Sequence, residues 1–170
     1  MKLSNMAIAA FALIFFSTQM HAQDSGAKKY PEGNVNYSVL FNSKNKGIFE
    51  PEFLSYKGDP DAIKYIKKNS KDVRIKIVMG FWCEDSQIQV PRMLRVLKDA
   101  GWDVEDEKQV KIYGVDENKW AGFEGFQAMN IVNVPTFIVY YNNKEVGRII
   151  ETPKSSLEKD LVEILQKIVR

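Results

Sequence analysis

Residues 80–91 read "GFWCEDSQIQVP" and contain Cys83, the only cysteine in the chain of 170 residues. The preceding run, "VRIKIVM" at residues 73–79, alternates apolar and charged residues and then becomes continuously apolar, which predicts a strand that enters a buried position. Apolar residues on one side of residues 87–101, with Gly101 as a stop, predict a helix. Cys83 therefore falls where a strand turns into a helix, and the free N–H groups and dipole of a helix start favour a reactive thiolate.

The remainder of the chain supplies further strands and helices around this turn. Asp59 followed by Pro60 predicts a helix start before the first strand, and residues 110–116 predict a second strand. Residues 135–151 predict a hairpin that turns at Asn142 and Asn143. The order of these elements predicts an α/β fold, with a central mixed sheet of about four to five strands and helices on both faces.

Two local patterns complete this prediction. The aromatic residues Trp120, Phe123 and Phe126 recur every three residues, which indicates a short helix whose aromatic stripe faces the core. Ser155 and Glu158 form a capping-box pattern at the start of a C-terminal amphipathic helix.

The chain divides into three predicted parts. Residues 1–22 have a lysine near the start, an apolar run and a terminal Ala22, which is typical of a cleaved secretory signal peptide; an uncleaved anchor is the alternative. Residues 23–57 are predicted to be an N-terminal extension whose aromatic residues pack on the domain, and residues 58–170 the domain itself. We therefore expect a periplasmic or secreted protein without a stable membrane anchor.

Composition excludes several classes of function. Lys and Arg total 24 against 22 Asp and Glu, scattered rather than segregated, which argues against nucleic-acid binding. The single histidine, His21, lies within the predicted signal peptide, so catalysis by Ser–His or Cys–His pairs is not expected. Zinc sites built on histidine or on cysteine pairs are excluded on the same grounds, and we predict neither a metal nor a cofactor. One cysteine also allows no internal disulfide.

Residues from about 73 to 169 resemble the thioredoxin family. The family motif is Trp-Cys-x-x-Cys with a proline eight residues after the first cysteine, and Trp82, Cys83 and Pro91 match it. Val134-Pro135-Thr136, followed by "FIVYY", is similar to the family's cis-proline loop and the strand after it. The resemblance implies a thioredoxin-like fold and a cis Val134–Pro135 bond beside Cys83. It also implies a substrate groove formed by Trp82, Val134, Pro135 and Thr136.

The chain departs from the family at two positions. Ser86 replaces the second cysteine, whose thiol in the family attacks the mixed disulfide and releases the substrate. A serine hydroxyl cannot do this, although it can form a hydrogen bond with the Cys83 sulfur. Ile77 stands where the family often has a buried acid that relays a proton for the second thiol. Glu84 and Asp85 place negative charge next to Cys83, which opposes the effect of the helix start on the thiolate.

Two functions remain open from the sequence. In the first, Cys83 is a catalytic monothiol, assisted by Ser86, which exchanges with disulfides or mixed disulfides and is released by an external thiol. Its partners are then exported proteins carrying disulfides or thiols, or a small thiol such as glutathione. In the second, the fold is a redox-inactive protein-binding module that uses the groove between Trp82 and Pro135.

Overall fold

The structure, a computed structural model, describes residues 29–168, so the predicted signal peptide lies outside the described residues. Five strands form one sheet in the order β1, β3, β2, β4, β5. They are β1 Gly33–Val35, β2 Val73–Met79, β3 Val110–Gly114, β4 Thr136–Tyr141 and β5 Lys144–Ile150. β2 and β3 are parallel, and the other neighbouring pairs are antiparallel. The prediction of an α/β fold with a mixed, thioredoxin-like sheet is confirmed.

Within residues 29–168, five α-helices accompany the sheet: α1 Tyr37–Leu40, α2 Lys46–Ser55, α3 Pro60–Asn69, α4 Glu84–Asp99 and α5 Leu157–Gln166. The cap predicted at the start of α3 is present, because the Asp59 carboxylate accepts hydrogen bonds from the N–H groups of Asp61 and Ala62 at 3.0 and 3.1 Å. Gly101 ends α4 with a φ of +87°, in the left-handed region that glycine adopts without strain. Within residues 29–168, no helix is long and apolar enough to cross a membrane.

The main core lies between one face of the sheet and helices α2 to α5. Alternation along β2 sends Ile75 and Ile77 into this core, together with apolar side chains of the four helices. Phe49 of α2 is fully buried and meets Phe81 edge to face, with ring centroids 5.5 Å apart. Residues that precede Lys57 thus contribute both the edge strand β1 and a helix to the same core.

The opposite face of the sheet is covered by residues 116–134, which contain no α-helix, so the α-helices within residues 29–168 lie on one face of the sheet and not on both faces as predicted. Val78 and Tyr113 of the sheet pack there against Phe126, and Trp120 and Phe123 join them. The stripe of three aromatic residues therefore faces the core, as predicted. The predicted short helix is only a 3-10 turn, Phe126–Met129, flanked by Gly125 and Asn130 with positive φ. Those left-handed residues stop regular helix on both sides.

The predicted capping box at α5 is displaced by one residue. Ser156, not Ser155, is the N-cap, and its hydroxyl accepts the Lys159 N–H at 3.4 Å. The Ser155 N–H instead donates to the Asp160 carboxylate at 3.1 Å, which sets the helix start one position later. Glu158 is buried and accepts the Tyr56 hydroxyl at 2.8 Å, a tertiary contact that the local pattern did not predict.

Candidate functional site

Cys83 lies at the turn from β2 into α4 and is the N-cap residue of that helix. Its N–H donates to the Gly80 carbonyl at 3.0 Å, and its own carbonyl accepts the Gln87 N–H at 3.0 Å. The first turn of α4 therefore begins directly after the cysteine, and the side chain is half-buried rather than enclosed. A partly exposed thiol at a helix start is the setting in which cysteines react.

The loop before β4 lies against this thiol. The Val134–Pro135 bond is cis, which confirms the expectation from the resemblance. The Cys83 thiol donates a hydrogen bond to the Val134 carbonyl, with 3.3 Å between Sγ and O. Val134, Pro135 and Thr136 are all buried, and the Thr136 hydroxyl donates to the Asn133 carbonyl at 2.6 Å. The fold thus brings together two segments that are 51 residues apart in the sequence.

Trp82 forms the other wall beside Cys83. Its indole Nε1–H donates to the Val115 carbonyl at 3.0 Å, and the ring packs directly over Gly80. An alanine Cβ at Gly80 would lie 2.6 Å from the Trp82 ring, so this position leaves no room for a side chain. The indole is therefore held in a single orientation, mostly buried but with part of its surface exposed.

Ser86 is fully buried on the inner side of α4. Its hydroxyl accepts the Gly80 N–H at 3.3 Å, rather than forming the hydrogen bond with Cys83 that the sequence allowed. The bond joins the first turn of α4 to the end of β2, and it therefore supports the turn that carries Cys83. Ile77, at the position of the family's frequent buried acid, is fully buried in the apolar core.

Two contributors to the site were not identified from the sequence. The side-chain amide of Gln87, in the first turn of α4, donates a hydrogen bond to the Phe81 carbonyl at 2.8 Å and stabilises the turn that precedes this helix. The Val115 carbonyl, at the end of β3, orients the indole of Trp82. Neither residue carries a chemical motif, and the Val115 contact depends on β2 and β3 lying side by side.

The charges around the thiol are acidic. Glu84 and Asp85 are exposed on the first turn of α4, where negative side chains stabilise the helix start. Asp116 and Glu117 follow β3 and lie beside Trp82 at a small cavity of about 120 Å³, whose lining also contains Glu32 and one cation, Lys29. Among residues 29–168, no group of three or more histidine, cysteine, aspartate or glutamate side chains is arranged to hold a metal ion.

Comparison with known proteins supports the fold and does not extend to a family assignment. No family model and no curated protein matches the sequence. A protein of unknown function from Pseudomonas aeruginosa is similar at 14% identity, over 79% of this chain and 92% of that one, with a TM-score of 0.55. An HIV epitope scaffold is similar at 14% identity, over 78% and 83% of the two chains, with a TM-score of 0.50. A Schistosoma mansoni thioredoxin also matches, at 18% identity over 67% and 95%, with a TM-score of 0.40.

The class of the protein follows from its own topology. The protein is a thioredoxin-like α/β protein. This class is defined here by the parallel β2–β3 pair, the helix that begins after Cys83, and the antiparallel β4–β5 hairpin that follows a cis-proline. At 14% identity the solved structures are similar in fold, and they transfer no activity. The chemistry that this chain can perform therefore depends on Cys83 and its neighbours.

Proposed function

We propose that the protein is an exported monothiol exchange protein that acts on disulfides or mixed disulfides through Cys83. One observation carries the proposal: a partly exposed thiol at the start of α4 lies 3.3 Å from the Val134 carbonyl, beside an oriented tryptophan. The groove between Trp82 and Pro135 then receives the extended chain that bears the target sulfur.

The proposed reaction conserves atoms and electrons. The Cys83 thiol gives up its proton to solvent, and the thiolate attacks one sulfur of a disulfide R–S–S–R′. The Cys83–S–S–R bond forms, the R–S–S–R′ bond breaks, and R′–S⁻ leaves and takes up a proton. An external thiol R″–SH then attacks the mixed disulfide, which forms R–S–S–R″ and returns the Cys83 thiol.

The second step has to come from outside the chain, because Cys83 is the only cysteine. The buried hydroxyl of Ser86, which accepts a hydrogen bond from Gly80, supports the turn and cannot act as a resolving thiol. A mixed disulfide on Cys83 should therefore persist until a thiol arrives. Exported proteins with disulfides or thiols, or a small thiol such as glutathione, fit this requirement, and the predicted signal peptide supports an oxidising compartment.

The test measures adduct formation and release. After incubation with oxidised glutathione, intact-mass spectrometry should show one glutathione per chain, stable after the reagent is removed and reversed by dithiothreitol. Cys83→Ser should form no adduct and should keep the fold, since the two side chains are similar in size. Ser86→Cys should form an internal disulfide and give turnover in a disulfide-reduction assay driven by dithiothreitol.

The binding-module alternative also has an observation in its favour. The Cys83 thiol is already engaged in a hydrogen bond to the Val134 carbonyl at 3.3 Å, as expected of a cysteine with a structural role. If Cys83 reacts with iodoacetamide at neutral pH no faster than free cysteine, and Cys83→Ser leaves partner binding unchanged, exchange is excluded and the module is the better description.

A further inference from the structure

A second cleft, of about 520 Å³, opens on the sheet at the end of the strands opposite Cys83. It lies on the face turned away from helices α2 to α5, because Arg74 and Lys76 alternate with the core residues of β2. Its walls come from β2, residues 107–111, Tyr140 of β4 and Asn143 in the following turn, and none of its lining residues belongs to a helix. The aromatic cover of this sheet face, residues 116–134, does not contribute to the lining.

The lining is rich in positive charge. Arg74, Lys76, Lys108 and Lys111 face one lining carboxylate, that of Glu107. Within residues 29–168, the only ion pair among these charges joins Lys111 Nζ to Glu107 at 3.7 Å. Arg74 instead donates to the neutral side-chain oxygen of Asn143 at 2.7 Å. The chain as a whole carries only +2, so this concentration of charge is local.

One acid outside the lining reduces this charge without cancelling it. The Asp106 carboxylate accepts a hydrogen bond from the backbone N–H of Lys108, and this bond is the main cause that keeps the pKa of Asp106 below its usual range. The charges of Lys108 and Arg74 lower this pKa more weakly. Asp106 is therefore close enough to be felt at the cleft. Glu145 also acts on Tyr140 in the lining, but Arg148 pairs with Glu145 at 2.7 Å, so the four cations still exceed Glu107 and Asp106.

The register of the β2–β3 pair places two of these cations opposite each other, which reduces the stability of the fold. Lys76 and Lys111 are direct partners in the parallel β2–β3 pair, and both are half-buried. Like charges directly opposite each other destabilise a sheet. The ammonium groups instead lie over aromatic rings, Lys76 at 4.8 Å from the Tyr140 ring centre and Lys111 at 5.8 Å from that of Tyr113. The contacts with the rings and the Lys111–Glu107 pair hold the two lysines in place, and both side chains remain at the cleft.

We propose that this cleft binds a small anion with at least two negative charges, such as a phosphate ester or a polycarboxylate. The anion would lie between Lys76 and Lys111 and relieve their repulsion, and Arg74 and Lys108 would extend the contact along its length. The volume suits a small molecule. The site lies at the far end of the strands from Cys83, so the proposal stands independently of thiol exchange.

The test uses pyrophosphate and citrate as probes, with sodium chloride at equal ionic strength as the reference. Isothermal titration calorimetry on the wild-type protein should show saturable binding of at least one probe. The double variant K76Q/K111Q should bind it at least about tenfold more weakly, because two charge-assisted hydrogen bonds are lost. The control K67Q/K68Q removes the same charge from exposed positions on α3 and should bind as the wild type does. Comparison of the two probes separates phosphates from carboxylates.

A second measurement covers the case in which the double variant does not fold. Backbone amide shifts of the wild-type protein, followed by NMR during the titration, should change along residues 74–76 and 107–111. Absence of saturable binding by either probe overturns the proposal. The proposal is also overturned if K76Q/K111Q and K67Q/K68Q weaken probe binding equally. It is overturned as well if the amide shift changes are spread evenly over the lysine-bearing surface, since either result would show only non-specific attraction.

Discussion

Replacing Gly80 by alanine probes the contact that orients Trp82 beside the thiol. The added Cβ would lie 2.6 Å from Cε2 of the indole and 2.9 Å from both Cζ2 and Nε1. The ring cannot yield easily, because Nε1 is bonded to the Val115 carbonyl. Gly80 has no positive φ, so alanine is compatible with its backbone, and the steric effect on Trp82 can be measured cleanly.

The magnitude follows from three contributions. Overpacking of this kind costs about 1–3 kcal/mol in free energy of unfolding. Loss of the Trp82–Val115 hydrogen bond adds about 1 kcal/mol. Replacing glycine with alanine recovers about 0.4–1 kcal/mol by restricting the unfolded chain. The net expectation is a destabilisation of about 1–4 kcal/mol.

A double-mutant cycle isolates the contact. In a Trp82→Ala background the three atoms that obstruct the Cβ are absent, so Gly80→Ala should be neutral or stabilising by about 0.4–1 kcal/mol. The resulting coupling energy between the two positions is about 2–4 kcal/mol. Urea unfolding followed by circular dichroism measures all four proteins.

A matched control is available at Gly47, in α2. An alanine Cβ there meets nothing within 4 Å, so Gly47→Ala should stabilise the protein by about 0.5–1 kcal/mol. If Gly80→Ala has the same effect with and without the indole, Trp82 is not held over Gly80 and the account of an oriented groove wall is wrong.

Two further predictions concern pH and processing. Burial raises the pKa of Glu158, but hydrogen bonds from Ser156, from the N–H groups of Asp59 and Glu158 itself, and from the Tyr56 hydroxyl outweigh it and hold the pKa below its ordinary value of 4.5. This carboxylate therefore stabilises the fold above pH 4.5 and ceases to do so as the pH falls through its lowered pKa. Glu158→Gln should reduce the free energy of unfolding by about 1–3 kcal/mol at pH 7, and by progressively less below pH 4.5, as measured by urea unfolding. A difference between the two proteins that does not change with pH would contradict this. Mass spectrometry of the protein from its native host should find an N-terminus at Gln23, whereas soluble protein that retains Met1 would exclude cleavage.

The sequence alone was sufficient for the elements whose signals are local. The alternation in residues 73–79, the Asp59–Pro60 helix start and the paired asparagines at 142 and 143 each specify their conformation within a few residues, and the structure has all three. The asparagines indeed have φ of 49° and 64°. The position of Cys83 between a strand and a helix followed from the same local signals.

Local sequence signals did not predict the structure where a contact with residues distant in the sequence determines the conformation. β1 has only three residues, and it is a strand because it pairs with Ile112 to Gly114 of β3. Glu158 carries the pattern of a capping box, yet Tyr56 and Asp59, about a hundred residues earlier, take its carboxylate. Such choices depend on which surfaces meet after folding, and sequence spacing does not contain that information.

The candidate site shows the same division. Sequence identified Cys83, Trp82 and the Val134–Pro135–Thr136 loop as residues of interest, through their types and their resemblance to a known pattern. Only the tertiary structure decided that Ser86 bonds to Gly80, that Val115 orients the indole, and that Lys76 faces Lys111 across two strands. Residue type sets which hydrogen bonds and charges are possible, whereas strand register and the packing of α4 on the sheet determine which groups come within reach of one another.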